Sequence, residues 1–263
     1  MQNLKLALIQ THLLWHDKTA NLDHFNSELN KVNERVDLIV LPEMFTTGFS
    51  MEASSLYETM DGTSVVWMTS MAKVKEAVIM GSMIIKENNQ FYNRLIAAYP
   101  SGNVYTYDKR HLFRMAHEDQ SFTQGEQNII LNINGWNIRP FVCYDLRFPV
   151  WSRNKYHKES GWDYDLAVYV ANWPSARTLA WKALAIARAI ENQSYVVALN
   201  RVGIDGKGHK YSGDSQVINS YGEVICHLDD HEYVQVVTLD REILKKHRKD
   251  FPVGLDADGF ELK

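Results

Sequence analysis

The sequence lacks the marks of several protein classes. Only two of its 263 residues are cysteines, Cys143 and Cys226, too few for a disulfide-stapled secreted scaffold. No uninterrupted apolar run approaches the roughly 18 residues of a membrane span. The first residues from Met1 carry Lys5 inside their apolar stretch and show no small-residue cleavage site, so a signal peptide fits poorly. We expect a cytoplasmic protein with reduced thiols.

An excess of charge of one sign is also missing. The 28 Lys and Arg residues nearly balance the 32 Asp and Glu residues, for a formal net charge of -4. Such a balance indicates neither a basic footprint for nucleic acid nor an acidic tail. No glycine-rich phosphate-binding motif occurs, so a nucleotide cradle has no support. These absences favour a small-molecule partner and argue against nucleic acid and membrane.

Segments that would divide the chain are scarce as well. Its 6 prolines and 14 glycines are scattered over turns, and no Pro/Gly/Ser-rich linker occurs. Hydrophobic residues make up 45% of the chain, enough for a sizeable core. We therefore expect one domain over residues 1–263.

Short apolar runs alternate with stretches of helical period, which is typical of an α/β layer architecture. The predicted strands are Leu4 to Gln10, Leu38 to Leu41, Val78 to Ile85, Phe91 to Tyr99, Ile138 to Cys143, Leu166 to Ala171, Tyr195 to Leu199, Ser215 to Asn219 and Val234 to Leu239. The predicted helices are Asn21 to Asn33, Ser64 to Glu76, Val150 to His157 and Ser175 to Asn192. In the last helix the predicted N-cap is Ser175, and the predicted apolar face consists of Ala180, Leu184, Ala187 and Ile190.

A carboxylate follows a predicted buried strand that stops at a proline. The apolar run from Leu38 to Leu41 stops at Pro42, and Glu43 comes next. Because ligands bind at the carboxyl ends of strands in α/β sheets, Glu43 is placed to face a crevice. On its own, an acidic residue at this point is more often a solvated turn residue.

A cysteine ends another predicted strand. Cys143 follows an apolar run and precedes a mixed polar segment that leads into a predicted helix. Backbone N–H groups and a helix dipole at such a turn favour the thiolate, which suits a nucleophile. Cysteine is equally often a small buried hydrophobe, so this segment alone leaves both interpretations open. Cys226 lies in an apolar hairpin run and is predicted to pack.

A lysine and several histidines complete the candidates. Lys109 lies in a segment that has neither the helical nor the strand period of apolar residues. In such a loop a lone lysine is usually a solvated charge. Because a nucleophilic thiol needs a base, His111 or His117 is an alternative partner for Cys143 in a Cys-His hydrolase. His12 and His16 lie four apart, but no cysteine or carboxylate stands at ligand spacing, which favours a core or surface role over metal binding. No metal is predicted.

Together these segments resemble the nitrilase superfamily of carbon–nitrogen hydrolases, which use a Glu-Lys-Cys triad. The resemblance lies in LPE at 41–43, DKRHL at 108–112 and CYDLRFP at 143–149, with further likeness in YVANWP at 169–174, ARAIENQ at 187–193 and NRVG at 200–203. Within the superfamily, LPEMF at 41–45, YDKRHLFRMA at 107–116 and VWSRN at 150–154 are similar to bacterial omega-amidases.

The resemblance implies a four-layer α-β-β-α sandwich. It also implies a homodimer, with contacts expected at the helix Ser175 to Asn192 and the tail Phe251 to Lys263. The implied reaction removes the terminal amide of short alpha-keto dicarboxylic monoamides, such as alpha-ketoglutaramate or alpha-ketosuccinamate, and releases ammonia. It proceeds through a cysteine thioester and needs no metal or organic cofactor.

The resemblance also assigns catalytic roles. Cys143 is the expected nucleophile and Glu43 the general acid and base. Lys109, with the backbone N–H of Tyr144, is expected to stabilise the oxyanion. A second glutamate orients the lysine in the family, and Glu118 fits that position best.

Other assignments remain open. Asp119 or Glu126 are alternatives for the second glutamate. Arg147 is a candidate for binding the substrate carboxylate, or else forms a structural ion pair, for instance with Asp145. Tyr144 and four aromatic residues are expected to line a short pocket, although the four are equally compatible with ordinary core positions: Phe45, Phe113, Phe148 and Trp173.

Rival functions come from two classes. One is another carbon–nitrogen hydrolase, a carbamoylase or a nitrilase, which the released product and the accepted substrate would distinguish. The other is a non-catalytic binding protein on the same fold. The presence of Glu43, Lys109 and Cys143 argues against the second class.

Overall fold

The computed structural model describes residues 2–262, in which sixteen strands and seven α-helices alternate along the chain. The strands are β1 (Leu4–Gln10), β2 (Leu38–Val40), β3 (Val78–Glu87), β4 (Gln90–Ala98), β5 (Val104–Asp108), β6 (Leu131–Ile133), β7 (Trp136–Val142), β8 (Tyr156–His157), β9 (Gly161–Trp162), β10 (Leu166–Ala171), β11 (Tyr195–Asn200), β12 (Val202–Ile204), β13 (Lys210–Ser212), β14 (Gln216–Ile218), β15 (Val224–His227) and β16 (Tyr233–Leu239). The helices are α1 (Lys18–Asn30), α2 (Ala53–Leu56), α3 (Thr63–Lys75), α4 (Glu118–Ser121), α5 (Pro149–Ser152), α6 (Thr178–Asn192) and α7 (Arg241–Asp250). Short 3₁₀ segments cover Arg114–Ala116, Cys143–Arg147, Ser175–Arg177 and Val253–Asp256.

The two six-stranded sheets have the same arrangement of parallel and antiparallel strands. The first has the order β16-β1-β2-β3-β4-β5, and the second has the order β15-β14-β11-β10-β7-β6. In each sheet three neighbouring inner strands run parallel, β1-β2-β3 in the first and β7-β10-β11 in the second, while the flanking strands are antiparallel. Each sheet therefore has one edge of parallel strand ends at which ligand-facing loops can gather.

The two sheets pack face to face between outer helices. Along β1, Leu4, Leu6 and Leu8 point into a core shared with the second sheet. The alternate residues Ala7 and Ile9 point to the other face, toward apolar side chains of α1 and α3, as the two-residue period of a strand requires. Helix α6 covers the outer face of the second sheet through its buried residues. The expected α-β-β-α sandwich is confirmed.

The helix prediction failed in two places. Of the predicted helix Val150 to His157, only residues 150–152 are helical, as part of α5, and its last two residues form strand β8. Helix α6 begins at Thr178 with Arg177 as its N-cap, so Ser175 is not the cap.

The buried face of α6 also differs from the predicted one. It carries Trp181, Ala185 and Ala189, whereas Ile190 is half exposed. Small alanines beside one tryptophan let the helix lie close to the sheet. Ala180 and Leu184 of the predicted face are partly buried and pack against the same core. Within residues 2–262 no helix is long and apolar enough to cross a membrane.

Candidate active site

Four polar or reactive residues lie at or just beyond the ends of strands and meet between the two sheets. Glu43 lies just beyond β2 and Lys109 directly follows β5, both in the first sheet. Cys143 follows β7 and Asn172 follows β10 in the second sheet. Because the strand ends meet at one end of the sandwich, residues separated by up to 129 positions become hydrogen-bonded neighbours.

Glu43 and Lys109 form a buried ion pair. Lys109 Nζ donates to Glu43 Oε1 at 2.9 Å, and the two side chains are 1% and 0% exposed. The second carboxylate oxygen, Oε2, accepts the backbone N–H of Asn172 at 2.8 Å. The Asn172 side chain donates through Nδ2 to the backbone carbonyl of Glu43, so the carboxylate is held from both sheets.

Glu118 lies against the same lysine. Lys109 Nζ is 3.0 Å from each oxygen of Glu118, and the backbone N–H of Phe113 donates to Oε2 at 2.6 Å. The two alternative acids point elsewhere: Asp119 pairs with Arg114, and Glu126 is exposed. The geometry therefore brings together Glu118, rather than either alternative, with Glu43 and Lys109.

Two residues of this network were not predicted from the sequence. Asn93 Nδ2 donates to Glu43 Oε1 at 2.8 Å and to Glu118 Oε1 at 3.2 Å. Ser82 Oγ donates to Asn93 Oδ1 at 2.8 Å, which fixes the amide in that orientation. Both residues are fully buried inside strands β3 and β4. The available signal was a polar residue inside each predicted strand, because polar groups that become buried need partners.

Cys143 has a strained backbone at the start of a 3₁₀ segment. Its φ is 45°, in the left-handed region that a residue with a Cβ occupies at a cost of about 1–3 kcal/mol. Its side chain is buried, and Sγ lies 3.9 Å from the backbone oxygen of Asn172. The strained turn places the sulfur beside the end of β10, within reach of the charges of Glu43 and Lys109.

The electrostatics keep the thiol protonated. Burial, and then the negative charge of Glu43, raise the pKa of the Cys143 thiol well above its usual value, although Lys109 opposes them. The expectation of a stabilised thiolate is therefore wrong for the resting site. The backbone N–H groups and short helix at this turn do not offset the loss of water and the adjacent carboxylate.

The charges of the lysine and the second glutamate depend on each other. Burial alone would lower the pKa of Lys109, but the carboxylates of Glu118 and Glu43 outweigh it and raise that pKa, so the ammonium is retained. Burial, followed by the charge of Glu43, raises the pKa of Glu118 against the opposing effect of Lys109. One fixed positive charge thus stands between two carboxylates.

A cavity of about 410 Å³ opens onto this cluster. Cys143, Lys109 and Asn172 lie in its wall. Four residues that we expected to bind substrate also lie in this wall: Tyr144, Arg147, Phe113 and Trp173. The remaining wall includes Phe49, Met51, Met115, Ala116, His117, Pro174, Ala176, Arg177, Asp205, Lys207, His209 and Tyr211.

The sequence of the chain matches a known family over almost its whole length. The model of the carbon–nitrogen hydrolase family matches residues 5–249. The chain belongs to the carbon–nitrogen hydrolase family. This membership confirms the resemblance on which the fold and the Glu-Lys-Cys segments were predicted.

Named relatives of this hydrolase include amidases. It is 49% identical over 263 residues to the omega-amidase YafV of Escherichia coli (strain K12), covering 100% of both chains. It is 28% identical over 251 residues to the 2-oxoglutaramate amidase of Bacillus subtilis (strain 168), covering 94% of this chain and 95% of that one. A solved structure, XC1258 from Xanthomonas campestris, is a CN-hydrolase superfamily protein with an arsenic adduct in its active site; it is 43% identical, covers 100% of both chains and has a TM-score of 0.98.

Both histidine candidates for a base in this hydrolase have other partners. His111 Nδ1 and its backbone N–H lie 2.7 and 3.0 Å from Asp145 Oδ1, and its ring stacks on Phe148 at 3.7 Å. His117 is exposed at the cavity wall, with Nδ1 3.4 Å from Gln120 Nε2. Glu43, by contrast, is a fully buried carboxylate whose charge raises the pKa of the Cys143 thiol, which makes it the stronger candidate for the base.

Two of the predicted aromatic wall residues lie away from the cavity. Phe45 is fully buried in the outer layer of the first sheet, 5.3 Å from the ring of Phe25 and 5.9 Å from that of Trp67. Phe148 stacks on His111 instead. The wall prediction is corrected for both, because position beyond a motif does not determine which way a side chain points.

The cavity of the hydrolase has an unbalanced positive wall. Arg147 forms no ion pair within residues 2–262; its Cζ lies 4.9 Å from the ring centre of Trp173. The alternative ion pair with Asp145 is not formed, since that carboxylate accepts from Tyr107, His111 and the backbone of Val142. Arg147 is therefore available to a ligand.

Proposed function

We propose that this hydrolase is an omega-amidase that removes the terminal amide of short alpha-keto dicarboxylic monoamides. Alpha-ketoglutaramate and alpha-ketosuccinamate are the proposed substrates, and the products are the dicarboxylate and ammonia. The observation that carries the proposal is the cavity, which presents Cys143 at one part of its wall and the free guanidinium of Arg147 at another. The names of the amidase relatives support the same substrate class.

The first half of the proposed reaction forms a thioester. Cys143 Sγ attacks the amide carbon as its proton passes to Glu43, which suits a thiol that stays protonated until a base accepts the proton. The tetrahedral oxyanion is stabilised by the Lys109 ammonium and by the N–H of Tyr144, since first-turn N–H groups of a helix have no intrahelical acceptor. Glu43 returns the proton to the nitrogen, the C–N bond breaks and ammonia leaves.

The second half restores the enzyme. Water attacks the thioester carbon and transfers a proton to Glu43. The C–S bond then breaks, the sulfur recovers the proton, and the new carboxylic acid leaves and ionises in the solvent. Glu118 and Asn93 do not touch the substrate in this scheme; they hold the Lys109 ammonium and the Glu43 carboxylate in position. No step requires a metal or an organic cofactor.

The charge of the cavity supports an anionic substrate. Within residues 2–262, Asp205 is the acidic residue in the wall, and its oxygens accept from the backbone of Lys207 and His209 and from the Tyr211 hydroxyl. An incoming carboxylate therefore meets a cationic wall. Aromatic rings and a volume of about 410 Å³ suit a ligand of only a few carbons.

A panel of short monoamides tests the proposal. Purified protein is assayed for ammonia release from alpha-ketoglutaramate, alpha-ketosuccinamate, a neutral amide of equal length, a carbamoyl amino acid and a nitrile, with Cys143→Ala as the blank. We expect the two keto acid monoamides to give the highest kcat/KM. Preference for the carbamoyl compound, with carbon dioxide release, or for the nitrile would replace the proposal with a carbamoylase or a nitrilase.

We also propose a single catalytic domain, a cytoplasmic location and a homodimer formed through α6. Leu179 and Ile190 on the outer face of α6 are exposed, as are Phe251 and Leu255 in the tail. Lys263, the last residue of the predicted tail contact, lies outside the described residues. Light scattering of the wild type against Leu179→Glu tests the dimer: we expect the wild-type mass to be twice that of the chain and the variant mass to fall.

A further inference from the structure

A second arginine shares the cavity with the catalytic cluster. Arg177 ends the 3₁₀ segment between β10 and α6, and it lies in the wall together with Arg147 and Cys143. Its Cζ lies 5.4 Å from the ring centre of Phe113, and its Nη2 is 3.2 Å from the sulfur of Met115. In the part of the chain that the structure describes, no carboxylate pairs with it.

Such an arginine is placed for a ligand rather than for the fold. A guanidinium has five N–H donors in a fixed fork that matches a carboxylate, and a thioether is only a weak acceptor. The aromatic ring beneath it restricts the guanidinium to one plane and limits the entropy lost on binding. The backbone oxygen of Arg177 also accepts from Trp173 Nε1 at 2.9 Å, so the segment that carries it is fixed to the ring under Arg147.

The other cations of the wall fit this role less well. Lys109 is already shared between Glu43 and Glu118. Lys207 is exposed on the loop between Gly206 and Gly208, where the carboxylate of Asp205 accepts its backbone N–H. Within residues 2–262, Arg147 and Arg177 thus remain as two guanidinium groups without a carboxylate partner, each held on an aromatic ring.

We propose that Arg177 is a second carboxylate-binding residue, which together with Arg147 selects amides that carry an anionic group at the end remote from the scissile bond. The inference rests on the proposed function for the identity of the substrate. The two guanidinium groups donate to the same keto acid end of the ligand, while Cys143 receives its amide carbon. A neutral amide gains nothing from either arginine.

Alkylation of Cys143 tests the role without relying on the substrate. Iodoacetate and iodoacetamide transfer similar groups to the sulfur with loss of iodide, but only iodoacetate carries a carboxylate. The second-order rates of both reagents are measured for the wild type, Arg177→Gln and Arg177→Lys in a Cys226→Ser background. We expect Arg177→Gln to lower the iodoacetate to iodoacetamide rate ratio about 10- to 100-fold, the range for losing a hydrogen bond to a charged group.

Two comparisons separate binding from general charge and from structure. Arg177→Lys keeps the charge but loses the fork, so its rate ratio should fall between those of the wild type and Arg177→Gln. Arg114→Gln makes the same charge change on a neighbouring exposed residue outside the cavity wall. If the substitution merely displaced the cavity wall, both reagents would react more slowly and the ratio of their rates would not change. An equal fall of the ratio in Arg114→Gln, or an Arg177→Gln ratio within about 2-fold of wild type, would overturn the inference.

Steady-state kinetics distinguish the failure of this inference from that of the proposed function. With alpha-ketoglutaramate, Arg177→Gln should raise KM about 10-fold or more, with a smaller effect on kcat. If the wild type hydrolyses this compound efficiently and the variant has the same KM, only the role of Arg177 is wrong. If the wild type prefers neutral amides, the proposed function is wrong, and the alkylation ratio still reports whether Arg177 binds anions.

Discussion

The two cysteines of this chain occupy opposite kinds of position in the same sheet. Cys143 follows β7, one of the parallel inner strands, and its φ is 45°. Cys226 lies within β15, the edge strand, opposite Val217 in an antiparallel pair whose register shifts between Val217 and Ile218. Burial raises the thiol pKa of both. Only Cys143, however, has a carboxylate and an ammonium among the groups that shift its pKa.

The difference shows what makes a buried thiol useful. Burial by itself disfavours the thiolate and gives an inert cysteine, as at Cys226. At Cys143 the same burial is combined with Glu43, which can accept the proton, and Lys109, which compensates the negative charge that develops. In the proposed mechanism, the reactivity of Cys143 therefore depends on the opposite sheet, which supplies both charged groups, and not on the strand that carries the sulfur.

Removal of each sulfur gives the largest expected contrast. Cys143→Ala should abolish amide hydrolysis, with a loss of about 10⁶ in kcat of the kind seen for other catalytic nucleophiles. Cys226→Ala should retain kcat and KM within about 2-fold, because β15 lies away from the cavity wall. Ammonia release by both variants at equal concentration checks this. Appreciable turnover by Cys143→Ala would remove the thioester from the mechanism.

Removal of the charges facing Cys143 should have the next largest effect. Glu43→Gln and Lys109→Met should each lower kcat about 10²- to 10⁴-fold, the range for a general base or an oxyanion-stabilising group. Lys182→Met, which removes an ammonium paired with Asp214 outside the cavity wall, is the control. Circular dichroism establishes that each variant is folded. A Glu43→Gln enzyme with near-normal kcat would return the role of base to a histidine.

The contrast between the cysteines was partly visible in the sequence. Apolar runs predicted β2 and β7 because buried parallel strands are apolar throughout, and the run ends placed Glu43 and Cys143 at sheet edges. The hairpin run containing Cys226 was also predicted, since a glycine turn precedes it. These features are local and depend on a few neighbouring residues.

Other features depend on which strands become neighbours. The roles of Asn93 and Ser82 exist only because β3 and β4 pair beside Glu43. The direction of Phe45 is set by the packing of α1 and α3 on the outer face. The free guanidinium of Arg177 likewise follows from the ring of Phe113, 64 positions earlier in the chain, lying beneath it. No local pattern contains this information. The sequence therefore predicted the residues at the strand ends but not the side chains that contact and orient them.

A direct titration of the two thiols should sharpen the comparison. Because the charge of Glu43 raises the pKa of Cys143, replacing it with neutral glutamine should lower that pKa, by about one pH unit or more for a charge this close. The Cys226 thiol should not respond. Thiolate absorbance against pH is measured in single-cysteine variants with and without Glu43→Gln. An unchanged or higher pKa of Cys143 would mean that Glu43 does not face the sulfur.

The smallest expected effect concerns the backbone under each cysteine. Glycine accepts a positive φ without strain, so Cys143→Gly should be more stable than Cys143→Ala by about 1 kcal/mol, after the greater entropy of unfolded glycine is subtracted. At Cys226, where the strand is extended, Gly should instead be less stable than Ala by about 1 kcal/mol. Urea unfolding of the four variants measures both differences. If glycine destabilises both positions alike, the turn at Cys143 stores no strain, and the sulfur is positioned by packing alone.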